Sequence, residues 1–246
     1  ESERYLFFTT LRGTVKRVRL SEFKNIRTNG LRAIQLREDD ELIRVVVTSG
    51  NDGIILGTYH GNAVSFHEDK VRAMGRTASG VRGVSLREGD YVIGMDILTP
   101  DREVLVVSEK GYGKRTAASE YALKGRGVKG VRTLRITEKN GPLVCLRTVT
   151  GDEDLLIMTN KGVIIRFHAE DVSQTGRGAL GVRMMRLDQD AIVSSLAIVD
   201  REEETEEASE ATESVATETP TASLSDEAIK GNMKDFAQQL VDEENE

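Results

Sequence analysis

The chain has 246 residues, with 34 Lys and Arg against 41 Asp and Glu, a formal net charge of −7. Its single cysteine, Cys145, excludes a disulfide framework or a cysteine-built metal site within one chain. No apolar run approaches the roughly 20 residues a membrane-spanning helix needs, and the opening ESERYLFF lacks the pattern of a secretory signal. The overall charge conceals a split. Residues 200–246 hold 16 acidic and 3 basic residues, whereas residues 1–199 hold 25 acidic and 31 basic. A basic body with an acidic tail points to a polyanionic partner, with the tail as its competitor.

In chain order, the body repeats one plan four times, over roughly 1–49, 50–99, 100–151 and 152–199. Each repeat opens with a β-rich run: YLFFTT (5–10), GIILGTY (53–59), EVLVVSE (103–109) and LLIMT (155–159). A turn with a glycine follows, at Gly13, Gly61, Gly111 and Gly162, spaced by 48, 50 and 51 residues. The next runs are TVKRV, NAVSF, YGKRT and VIIRF, so each pair reads as a β-hairpin. Polar connectors come next, suited to one helical turn, with Phe23, Val71, Tyr121 and Val172 expected to plug inward. A second glycine recurs at Gly30, Gly80, Gly130 and Gly181. Beyond it LRAIQL (31–36), VRGVSL (81–86), VRTLRI (131–136) and VRMMRL (182–187) alternate as half-buried strands do. Each repeat closes on a last apolar run, such as LIRVVVT (42–48). About four short strands per fifty residues predicts an all-β, propeller-like fold. After Asp200, residues 200–222 are expected to be disordered and residues 224–241 to form a short helix.

The basic residues recur with the glycines. Lys16–Arg17, Lys114–Arg115 and Arg166 occupy matching places after the first glycine, where the second repeat has Val64–Ser65. The loops closing each unit read MGRTASGVRG (74–83), LKGRGVKGVR (123–132) and QTGRGALGVR (174–183), with the shorter IRTNGLR in the first repeat. Arg76, Arg126 and Arg177 follow the first loop glycine, and Arg82, Arg132 and Arg183 follow the second. Arg27 and Arg32 hold the first repeat's places, and Lys124 and Lys129 add charge to the third loop. Glycine lets a backbone approach a ligand closely, and arginine presents a planar fork to phosphate oxygens. Loops repeated at a fixed interval then predict regularly spaced phosphate contacts. All fifteen of these basic residues are candidate DNA contacts. The five tyrosines and three separated histidines suggest neither a catalytic nor a metal site, and no nucleotide phosphate-binding loop is present.

YLFF, RGTVKR, LSEFKNIRTNGL, MGRTASGVRG, LREGDYV, ITEKNGPL and NKGVIIR together resemble the family of C-terminal domains from the bacterial DNA gyrase A subunit, continuously over residues 1–199. The resemblance implies a β-pinwheel, a propeller-like disc whose blades exchange strands, with duplex DNA wrapped on its basic rim. It implies four four-stranded blades of a usual six, in a piece cut from a longer chain. The family's signature box, Gln-Arg-Arg-Gly-Gly-Lys/Arg-Gly, is best matched by Lys124–Gly130, at Arg126, Gly127, Lys129 and Gly130; Thr175–Gly181 is more degenerate. The implied function is accessory to catalysis. DNA-cleaving chemistry, ATP and magnesium would reside in other parts of an ATP-dependent type IIA topoisomerase. That enzyme is an A2B2 assembly in which the domain meets the B subunit of gyrase plus a second A subunit, cytoplasmic and associated with the nucleoid. The alternatives are a protein-binding propeller and the corresponding domain of the topoisomerase IV A subunit.

Overall fold

The computed structural model describes residues 3–25, 28–188 and 190–201. Arg27 and the expected helix at 224–241 lie outside the described residues, as does the expected disorder from residue 202 onward. Residues 1–201 form one compact unit. Among the described residues no helix is long and apolar enough to cross a membrane.

The first blade pairs β1 (Tyr5–Thr10), β2 (Thr14–Arg19) and β3 (Leu42–Thr48), all antiparallel. Its fourth strand comes from the next repeat: β6 (Val81–Arg82) lies along β2, with Val81 opposite Val15. The second blade has β4 (Gly53–Thr58), β5 (Asn62–His67) and β7 (Val92–Leu98), completed by β10 (Val131–Arg132) of the third repeat. The third has β8 (Glu103–Ser108), β9 (Tyr112–Ala117) and β11 (Leu143–Val149), completed by β14 (Val182–Arg183) of the fourth. Among the described residues the fourth blade is three-stranded: β13 (Ile164–His168), β12 (Glu153–Thr159) and β15 (Val193–Asp200). This corrects the expectation of four strands in every blade. Blades one to three each finish with a strand from the repeat after them, and no fifth repeat lies among the described residues.

Strand exchange also shortens the expected strands after the second glycine. Only two residues of each pair with the preceding blade, and residues 31–36 pair with no strand. The chain leaves the ladder at once: Gly83 N–H donates to Gly13 O at 2.8 Å, Thr133 N–H to Gly61 O at 2.9 Å and Met184 N–H to Gly111 O at 2.9 Å. The turn glycines all have positive φ, from 73° to 81°. The glycines before the exchanged strands need more than that freedom. A Cβ on Gly80 would sit 2.5 Å from Val15 O, and one on Gly181 2.8 Å from Gly113 O, while Gly30 has open space. The connectors form 3-10 turns, as at Glu68–Lys70 and Ala118–Glu120.

Three hydrophobic cores separate the four blades. Phe7, Val15, Ile54, Leu56 and Phe66 fill the first, Ile55, Val104, Val106 and Leu146 the second, and Leu105, Val107, Leu155 and Ile157 the third. Neighbouring residues of β4 and β8 enter different cores because side chains alternate across a strand. Both faces of such a strand are covered, so its sequence reads as a continuous apolar run. Val71, Tyr121 and Val172 are buried in these three cores, whereas Phe23 is half-buried because its turn lies beyond the first of them. The inner strands β3, β7, β11 and β15 pack in succession. Asp96 on β7 ties three of them together: its carboxylate accepts from Arg147 Nε at 2.9 Å and lies 3.8 Å from Arg44. The exchanged strands therefore mark the opposite, outer edge.

Candidate nucleic-acid interface

The outer edge is built from the Gly-Arg loops. Each loop runs beside the second strand of the preceding blade: Met74 N–H donates to Arg17 O, Lys124 N–H to Ser65 O and Thr175 N–H to Arg115 O, at 2.8–2.9 Å. Successive loops are also joined sideways. Ser85 N–H donates to Val128 O at 2.9 Å, and Arg135 N–H to Ala179 O at 3.2 Å. The result is a continuous hydrogen-bonded belt that holds its arginines at blade intervals.

Arg32, Arg82, Arg132 and Arg183 are exposed on this belt, as are Lys124, Arg126 and Lys129; Arg76 and Arg177 are half-buried. Arg126 bends back, donating from Nε to Lys70 O at 2.8 Å and from Nη1 to Arg82 O at 3.0 Å. Arg177 Nη1 reaches Arg132 O at 3.1 Å. Each guanidinium keeps further donors, since the group carries five N–H bonds. These contacts place the guanidinium before any ligand arrives, which reduces the entropy lost on binding. Arg166 is exposed on β13 and ion-paired with Asp154 at 2.8 Å.

Four of the expected contacts are turned away from solvent, which corrects their assignment to the rim. Lys16 and Lys114 are fully buried. Lys16 Nζ donates to Ala33 O at 2.8 Å and also to Arg76 O. Lys114 Nζ donates to Gly176 O at 2.5 Å and Arg177 O at 2.7 Å. Burial lowers the pKa of both ammonium groups to about 8. Arg17 is ion-paired with the buried Glu68 at 3.4 Å, and Arg115 with Glu103. The side chains of Arg17 and Arg115 are only 11% and 13% exposed, too little for a phosphate to reach them freely. These four are fasteners between one blade and the loop of the next.

Sequence reasoning missed a second group of cations. Arg12, Lys110 and Lys161 each precede a repeat glycine, a recurrence that was legible. Arg37, Lys139 and Arg186 lie in irregular segments; Arg37 recurs only as Arg87 and Arg186 only as Arg135, and Lys139 has no counterpart. Arg12, Arg37 and Arg82 line one hollow, and Lys139, Arg183 and Arg186 another. Cys145 is inert packing: burial pushes its thiol up to about 12.

The four-repeat chain is similar to known proteins. It matches the family described as DNA gyrase C-terminal domain, beta-propeller, over residues 4–49, 54–99, 102–144 and 153–200. The chain belongs to the DNA gyrase C-terminal domain family. The DNA gyrase A subunit of Staphylococcus epidermidis strain ATCC 12228 is 53% identical over 204 residues, covering 82% of this chain and 23% of that protein. The chain thus spans about a quarter of the length of the curated relatives it matches. A solved DNA gyrase A C-terminal domain superposes with a TM-score of 0.73 at 28% identity, covering 81% of this chain and 67% of that one. The C-terminal domain of DNA topoisomerase IV superposes with a TM-score of 0.77 at 27% identity, covering 88% and 68%.

Proposed function

We propose that this chain binds duplex DNA along its outer belt and curves it, as the accessory C-terminal domain of a gyrase A subunit. The observation carrying this reading is the belt itself, which presents exposed arginines at one interval per blade on a hydrogen-bonded scaffold. Among the described residues it carries no base-reading helix, so it suits contacts to the backbone rather than to bases. Curvature follows from spacing contacts around an arc, at a bending cost offset by the phosphates gained. No residue of the belt is asked to make or break a bond. In the parent enzyme the domain would support ATP-dependent negative supercoiling, alongside the B subunit of gyrase plus a second A subunit, in an A2B2 assembly at the nucleoid. ATP and magnesium would be used by other parts.

The test is a titration of a duplex of about 40 base pairs at several salt concentrations. Neutralising Arg82, Arg132 and Arg183 together with alanine is expected to lower the log-affinity against log-salt slope by about 3. End-to-end distances by fluorescence transfer should shorten in the complex. Absence of duplex binding by the unaltered chain at low salt overturns the reading. The corresponding domain of topoisomerase IV is the second reading, favoured by the TM-score of 0.77; the 53% identity to a gyrase A subunit supports the first.

A further inference from the structure

Most arginines of this chain that face a neighbouring strand are neutralised. Arg17, Arg102, Arg115, Arg147 and Arg166 each hold a carboxylate. One corner of the third blade is different. Where the β8–β9 turn meets the exchanged strand β14, Lys110, Lys139, Arg183 and Arg186 line two adjoining hollows, the larger of about 650 Å³. None of the four has an ion pair among the described residues. Their shared floor is Tyr112, only 5% exposed. Its hydroxyl oxygen accepts from Arg183 Nη2 at 3.0 Å and Nε at 3.3 Å. Lys139 Nζ lies 5.7 Å from the ring centroid and the Arg183 guanidinium carbon 5.5 Å, so one ring orients both cations. The hydroxyl proton itself has no acceptor among the described residues. Asp188 and Asp190 line the second hollow and limit the total negative charge it tolerates.

From this geometry we infer that the Tyr112 corner is a dedicated phosphate seat, taking one backbone phosphate of a duplex lying on the belt. The inference rests on the DNA-binding reading and adds a specific subsite to it. The chemistry suits a monoanionic phosphodiester. Tyr112 offers an O–H, Arg183 keeps donors not used on the ring, and Lys139 and Arg186 supply charge without a competing carboxylate bonded to them. The ring matters because it holds two like charges close together before the ligand arrives. Without it they would spread apart, and binding would have to collect them. The other described blades lack it, with Thr14, Asn62 and Val163 at the place of Tyr112. The first blade repeats only the charges, through Arg12, Arg37 and Arg82. Contacts along the belt are then unequal, with the third blade the anchor.

The experiment compares three forms of the full chain in duplex titrations over salt: the unaltered chain, Lys139→Ala with Arg186→Ala, and Arg4→Ala with Lys24→Ala. The last pair removes the same charge from exposed positions outside the corner. The corner pair is expected to lower the salt slope by about 1, the one seated phosphate, and the affinity at low salt at least about tenfold; the control pair should change the slope by less than about 0.5. Tyr112→Phe, which keeps the ring, should weaken binding about threefold or more at an unchanged melting temperature. Equal slopes for the corner and control pairs overturn the seat while leaving DNA binding intact. No binding by the unaltered chain overturns the parent reading instead. Acylation footprinting of Lys139 separates the sources of phosphate. Protection by micromolar duplex but not by micromolar tripolyphosphate supports the seat as stated. Equal protection by tripolyphosphate assigns the corner to a free polyphosphate and overturns it.

Discussion

At the scale of single residues, the two buried lysines carry the most physical information. A lysine without a carboxylate partner is an unusual core residue, yet Lys16 donates to one loop carbonyl of its own repeat and one of the next, and Lys114 to two carbonyls of the next. Their burial gives a testable pH dependence. With a folded pKa of about 8 against an ordinary value of 10.5, the unfolded chain binds more protons between those limits. The lysine contribution to stability therefore rises as pH increases through that window and is flat below it. Urea melts of the unaltered chain and Lys114→Met at pH 7 and pH 9.5 should show the difference shifting toward the unaltered chain at the higher pH. A difference independent of pH would mean that the ammonium is hydrated. These same lysines mark the limit of sequence reading. Recurrence after a glycine was visible, but which face of β2 and β9 each residue takes was not assigned. Adjacent residues of a strand face opposite ways, and both faces of these strands are covered. The exposed arginines of the loops were legible because each recurs one or two residues after a loop glycine, off a strand or on its last residue.

At the scale of elements, the exchanged strands explain why four glycines with one sequence role have unequal structural demands. Gly80 passes flush against Val15 O, whereas Gly30 has the same sign of φ with nothing around it. Alanine at Gly30 should cost only the left-handed conformation, about 1–2 kcal/mol. Alanine at Gly80 should cost about 2–5 kcal/mol, because the added carbon also forces β6 away from β2. Thermal or denaturant melts of the two variants test the ordering. Equal losses would mean that β6 is not held against β2. The hairpins themselves were readable from alternation and turn glycines, and each appears where expected. The two-residue length of β6, β10 and β14 was not. Periodicity continues to residue 86 in VRGVSL, but the ladder ends at Arg82 because Gly83 turns its N–H to the hairpin of the preceding blade.

At the scale of the whole molecule, charge is distributed against its own total. The body presents an arc of cations, while residues 202–246 hold most of the acidic excess. A tethered polyanion competes with a bound duplex at high effective concentration. Removing residues 202–246 is expected to raise duplex affinity about tenfold or more near 50 mM salt, and the gain should shrink as salt shortens the screening length. Equal affinities of the two forms at low salt would reject the competition. The net charge of −7 taken alone would have pointed away from a nucleic acid, so this level was legible only once the chain was divided at its change of composition. The family and all-β fold were legible too, because a fifty-residue period and its loop glycines survive in plain sequence. The Tyr112 corner was not, since its members come from a turn, a strand and the strand donated by the following repeat.

That donation also sets a timetable for the chain as it is made. The first blade cannot close when β3 emerges from the ribosome; it waits for Arg82, which lies 63 residues beyond the end of β2 at Arg19. At about 5–20 residues per second this is a delay of roughly 3–13 s during which β2 offers an open edge. The same wait recurs for the second and third blades, so the nascent domain always trails one unfinished sheet. Translation speed across residues 20–82 thus becomes a parameter of folding yield, independent of the stability of the finished protein.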